Sequence, residues 1–189
     1  MMPRILDSLA QTLAYRPEKD RRLEDLLKKD QPTTEEALEI QALLQQSTGG
    51  KRDSICGIAF LTGILGREAP NAAVRALLTA SPPAERSTDD CMIGALMLIG
   101  PGGYQPLLEW ISTEDDRMRL YIAVMALVSQ TVNSDFPVKA GLGSMAEWDT
   151  TFPRSKRTLR RLATSWQMWW KENANRYVWN PKTQLLEAG

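Results

Sequence analysis

The chain has 189 residues with 23 basic and 23 acidic side chains, no histidine, 43% hydrophobic and 24% charged residues. A chain of this length buries most of its apolar surface as one domain, and this composition is neither disordered nor fibrous. The missing histidine excludes imidazole bases and imidazole metal ligands, and two cysteines are too few for a thiolate zinc cage or a disulfide framework.

Apolar residues recur at three- and four-residue spacing along most of the chain, which predicts helices and almost no strand. A first helix over about Arg4 to Ala14 puts Ile5, Leu6, Leu9 and Leu13 on one side, and Pro17 ends it. A second, about Glu18 to Lys29, carries Leu23, Leu26 and Leu27 among charges. After Pro32, Thr33-Thr34-Glu35-Glu36 reads as the capped start of a third, which runs to Gly49-Gly50. Up to Arg52 the chain holds nine acidic and nine basic residues, a well-solvated exterior. The stretch before Leu13 lacks the apolar core of a signal peptide, which predicts a cytoplasmic protein. The apolar run Ile93 to Ile99 is far shorter than a membrane span, so no transmembrane helix is expected.

From Asp53 the charge thins and three similar segments recur, starting at Asp53, Asp90 and Asp116. Each opens on an aspartate suited to accept orphan amide protons and then turns apolar on nearly every side. Helices of that kind must be covered on both flanks, so these three are expected as inner members of a stacked array. Shorter amphipathic helices over about Asn71 to Ala80 and Tyr104 to Ser112 alternate with them, joined through Pro70, Pro82-Pro83 and Pro101-Gly102-Gly103. Cys56 and Cys91 lie in the apolar segments and are expected as reduced, buried thiols.

The stretch from Ala95 through Ile99-Gly100-Pro101, Leu107-Leu108 and Trp110-Ile111, followed by Asp115-Asp116-Arg117 and a helix rich in alanine and leucine, resembles a HEAT repeat. The pattern is good over about Asp90 to Gln130 and fair over Asp53 to Ala80. The resemblance implies an all-α, right-handed stack of antiparallel helix pairs, a HEAT-like α-solenoid, and helix pairs that cannot bury both faces alone do so by stacking. A single helical domain over 1–189 follows, with N-terminal helices in 1–50, repeats in 53–131, a long loop in 132–153, and a C-terminal helix and arm in 154–189.

Between Val132 and Pro153 the helical period disappears. Phe136, Met145, Trp148 and Phe152 are expected to pin this loop to the body, either as packed structure or as part of a binding surface. Gly141-Leu142-Gly143 has no preceding strand or third glycine and is no nucleotide motif. From Ser155 a last helix places Leu159, Leu162, Ala163, Trp166, Trp169 or Trp170, and Asn173 on one stripe. Beyond it, Arg176 to Leu186 alternates around Asn180-Pro181 and is read as an extended arm or small hairpin that lays Tyr177 and Trp179 on the last helix.

The candidate site is the Trp-rich, basic C-terminal end: Arg154, Lys156, Arg157, Arg160, Arg161, Trp169 and Trp170. Either the tryptophans close the end of the stack and the arginines solvate it, or the cluster binds an acidic partner. Residues 53–131 carry nine acidic and five basic side chains and residues 132–189 the reverse, a polarity that the zero total hides and that suits docking. The expected function is non-enzymatic: binding of a partner protein through the inner helix row and this end, as an adaptor or toxin-neutralising protein. The alternative is nucleic-acid binding by the Arg154 to Arg161 patch, which the sequence pI of 6.4 disfavours. No membrane, cofactor or metal is expected. The acid pairs Asp89-Asp90 and Asp115-Asp116 are read as helix caps rather than catalytic dyads, and no motif of the HEAT-like DNA glycosylases or phycobilin lyases aligns.

Overall fold

Helix forms where the three- and four-residue apolar spacing persists, and it tolerates Gly94 inside one helix and Pro106 in the first turn of another, where the missing amide hydrogen is not needed. A computed structural model of the chain describes residues 62–80, 86–142, 152–180 and 182–189, together with Thr33, Glu35, Glu36, Glu39, Ala59 and Phe60. Among these are α1 (Pro70–Ala80), α2 (Arg86–Ile99), a 3-10 turn (Gly100–Gly103), α3 (Tyr104–Thr113), α4 (Arg117–Ser129), the one-turn α5 (Phe136–Lys139) and α6 (Lys156–Asn173). Residues 62–65 are helical as well. The described part is thus mostly helical, with one two-stranded sheet.

Capping residues set several of these starts. Thr33 and Glu36 form a reciprocal capping box, the Thr33 amide donating to Glu36 Oε2 at 3.0 Å and the Glu36 amide to Thr33 Oγ1 at 3.3 Å. Asp116 accepts the amides of Met118 and Arg119, both at 2.9 Å, and so starts α4. Ser155 accepts the Thr158 amide at 3.2 Å and starts α6. Helix α2 begins at Arg86, four residues before the expected Asp90, because periodicity marks the first apolar residue rather than the first helical one. The other helices expected before residue 53, and the expected start at Asp53, lie outside the described residues.

Helix α4 is the centre. Leu120 and every residue from Ile122 to Ser129 are buried, because α2, α3 and α6 all pack on it and α1 touches it. An apolar circumference needs such cover, as expected from its sequence. Helix α6 is amphipathic instead, with Leu159, Leu162, Ala163, Trp166, Trp169 and Asn173 buried. Its tryptophans meet Tyr104 of α3: Trp166 lies edge-on to the Tyr104 ring at 4.9 Å, Trp170 at 5.2 Å, and Trp166 and Trp170 stack at 5.9 Å. Edge-to-face aromatic pairs each add about 0.5–1.5 kcal/mol beyond their buried area.

After α6 the chain forms a hairpin. Strand β1 (Tyr177–Asn180) pairs antiparallel with β2 (Leu185–Ala188), Tyr177 opposite Ala188 and Trp179 opposite Leu186. Of the two readings of this segment, the hairpin is the one observed. Leu186 is fully buried and its amide donates to the Gln130 carbonyl at 2.7 Å, so β2 supplies a donor at the C-terminal end of α4. Trp179 reaches back to the α2–α3 corner. Gly100 there has φ +74°, and a Cβ on it would stand 3.1 Å from the Trp179 ring. The Arg67 guanidinium sits 5.3 Å from the ring centroid while its Nε donates to the Leu98 carbonyl at 3.0 Å.

The segment after α4 holds a turn, α5 and a second turn at Gly141, with Phe136 and Phe152 buried as expected. Met145 and Trp148 lie outside the described residues. Cys91 corrects an expectation: it is half-buried and disulfide-bonded, not a buried free thiol. Pairing depends on how close packing brings two thiols, which residue spacing does not reveal. The other cysteine, Cys56, is outside the described residues. One stretch among the described residues, Cys91 to Thr113, is long and apolar enough to cross a membrane, and 67% of its apolar 18-residue segment is buried. It covers α2, the glycine-rich corner and α3, two helices packed in the core rather than one continuous span.

Candidate functional site

The basic residues of the C-terminal end come from the first turns of α6, where Ser155 fixes the helix start and the apolar stripe fixes its rotation. Positions 156 and 160 point toward the α3–α4 turn. Positions 157 and 161 point to solvent, one helical turn apart and about 6 Å along the axis. Arg160 Nη2 donates to the Glu114 carbonyl at 2.6 Å and to Asp115 Oδ1 at 3.3 Å. Lys156 Nζ lies 3.8 Å from the same Asp115 oxygen. Asp115 itself is 86% exposed, so these are surface pairs in high dielectric.

The expected constellation therefore divides. Arg154 is exposed and already engaged in a contact, Lys156 and Arg160 share Asp115, and Arg157 and Arg161 are exposed without a partner among the described residues. Trp169 and Trp170 do not join them on one surface. Trp169 is 5% exposed and stands in the core between Phe136, with ring centroids 5.5 Å apart, and Tyr177, at 5.3 Å. Its Nε1 donates to Asp135 Oδ1 at 2.8 Å, and Lys139 Nζ binds the other oxygen of that carboxylate at 2.8 Å. The Lys139 and Trp169 hydrogen bonds hold the Asp135 carboxyl below the usual carboxylate range. Trp170 is half-buried against Tyr104 and Trp166. These rings join α6 to the body, and the basic residues alone face outward.

Two further features shape the surface. Met168 is 62% exposed and falls on the same helical stripe as Arg157, Arg161 and Thr164, all exposed. The inner helix row offers little by comparison: α4 is buried nearly throughout, and in α2 the residues from Met92 to Ile99 are buried. Sequence reasoning missed Asp115 as the partner of Lys156 and Arg160, since it read both aspartates of that turn as caps while Asp116 alone caps. The signal available was a pair of adjacent acids where one suffices. Among the described residues no three His, Cys, Asp or Glu side chains converge as metal ligands.

The chain matches no protein-family model, no curated protein and no solved structure.

Proposed function

We infer that this chain is a non-enzymatic protein-interaction module, a small HEAT-like α-solenoid that binds an acidic partner protein through the basic start of α6. The solenoid reading is supported by the order of packing: α1, α3 and α6 touch in turn, α2 lies on α4, and across the rows α1 packs on α2, α3 on α4 and α4 on α6. The binding reading rests on one observation, the two exposed arginines Arg157 and Arg161 left without a partner among the described residues. Burial of α4 draws the proposed contact away from the inner row to the outer face of α6. An adaptor or toxin-neutralising role fits a stand-alone recognition surface of this kind.

The test is affinity capture from the native lysate with the wild-type chain and with Arg157→Glu/Arg161→Glu. A partner held by the wild type and lost by the reversal supports the reading; a partner held equally by both refutes it. The cytoplasm is the proposed compartment. Alkylation of thiols in intact cells tests this: a Cys91 that alkylates as a free thiol supports the cytoplasm, and a Cys91 held in its disulfide in the cell overturns it in favour of an oxidising compartment.

A further inference from the structure

The α3–α4 turn shows what the α6 surface accepts. Glu114 and Asp116 both have extended backbone, with φ/ψ of −72°/130° and −73°/123°, so Glu114-Asp115-Asp116 is a short extended acidic segment lying beside α6. Arg160 takes a carbonyl and a carboxylate from it, and Lys156 takes the same carboxylate. Next to this docked segment runs a free stripe of Arg157, Arg161, Thr164 and Met168, about 16 Å long at the helical rise. The stripe is basic at one end and apolar at the other, where the flexible thioether of Met168 adapts to varied apolar surfaces.

Resting on the interaction-module reading, we propose that this stripe, together with Lys156 and Arg160 beside it, docks an extended acidic segment of a partner protein that ends in an apolar residue, and that Asp115 is the intramolecular competitor such a segment displaces from Lys156 and Arg160. Charge complementarity selects the occupant. The partner's carboxylates meet Arg157 and Arg161 and take the place of Asp115 at Lys156 and Arg160, and its apolar residue covers Met168. Exchange at Lys156 and Arg160 is easy because the pairs with Asp115 are exposed and each contributes little. A nucleic acid fits poorly, since a continuous run of phosphates needs a longer row of free cations than two arginines provide.

The experiment uses the full chain and fluorescence anisotropy of a labelled synthetic peptide of aspartates and glutamates ending in leucine. A peptide with Asn and Gln in place of the acids is the control, and labelled single-stranded DNA is the competing probe. Asp115→Asn is expected to tighten acidic-peptide binding about two- to fivefold by removing the competitor while Asp116 keeps the helix cap. Arg157→Glu/Arg161→Glu abolishes binding, and Met168→Ser weakens it. If the wild type binds the peptide and Asp115→Asn binds no tighter, the competitor is refuted while the module reading stands. If the peptide does not bind but lysate capture still depends on Arg157 and Arg161, this occupant is refuted and the module reading stands. Tighter binding of DNA, with a log–log salt slope near −3.5 for five cations rather than about −1.4 for two, makes the partner a nucleic acid and overturns the proposal.

Discussion

Tyr104→Phe tests how the core is held together by a single buried polar contact. Tyr104 is 3% exposed, and its hydroxyl donates to Gln130 Oε1 at 3.1 Å. Gln130 is fully buried, its Nε2 already donating to the Ala126 carbonyl at 2.9 Å and its own carbonyl accepting from Leu186. Removing the hydroxyl leaves the ring and its contacts with Trp166 and Trp170 but strands the Gln130 oxygen. An unsatisfied buried acceptor costs about 1–3 kcal/mol. At about 2 kcal/mol, and about 2–4 °C per kcal/mol for a chain of this size, Tm falls by about 4–8 °C. Urea unfolding followed by tryptophan fluorescence is the assay, with the slope m unchanged if only stability is altered. Burial also raises the Tyr104 pKa, so the folded state favours the neutral phenol. The stability this contributes is complete below the unfolded value near 10 and declines as pH rises above it, so the gap between wild type and variant narrows in alkali. A gap below about 0.5 kcal/mol at neutral pH, or one that widens above pH 10, refutes the reasoning.

Three other predictions follow from separate contacts. A Cβ on Gly63 would run into the Ala95 carbonyl, a backbone group that cannot swing aside, so Gly63→Ala costs about 1–3 kcal/mol or more in denaturant unfolding, and an unchanged midpoint contradicts that packing. Asp135 is ionised down to lower pH in the folded chain than in the unfolded one, so its contribution is present above pH 4 and lost as pH falls through the folded value. Acid titration of wild type against Asp135→Asn should show the wild-type advantage disappearing below pH 4, and an advantage that persists there counts against the Lys139 and Trp169 bonds as its cause. Mass spectrometry of the oxidised, alkylated protein should find Cys91 unmodified, and dithiothreitol should lower stability by about 2–4 kcal/mol; a freely alkylated Cys91 contradicts the disulfide.

The parts of the fold legible in the sequence are those that one helix encodes by itself. The stripe Leu159, Leu162, Trp166 and Asn173 announces which face of α6 is buried, and the unbroken apolar run from Leu120 to Val128 announces that α4 is covered all round. Helix caps at Thr33 and Asp116 are local chemistry and are read the same way. What escaped the sequence depends on partners distant in the chain. Trp169 looks the same on a helical wheel whether it meets a partner protein or Phe136, Asp135 and Tyr177. Asp115 and Arg160 meet only because α6 packs back on α3 and α4, and the bonding of Cys91 likewise rests on tertiary proximity.

The bond from Leu186 to Gln130 and the seat of Trp179 on Gly100 bear on the order in which the molecule assembles. Helices α1 to α4 pair mainly with close sequence neighbours and pay little loop-closure entropy, so they form early. The hairpin closes over the ends of α2 and α4 only when a long stretch of chain has been brought round. During synthesis it leaves the ribosome after every element it covers. Until then the Gln130 carbonyl and the corner at Gly100 stay wet, and the hairpin acts as a late seal over the docked helices.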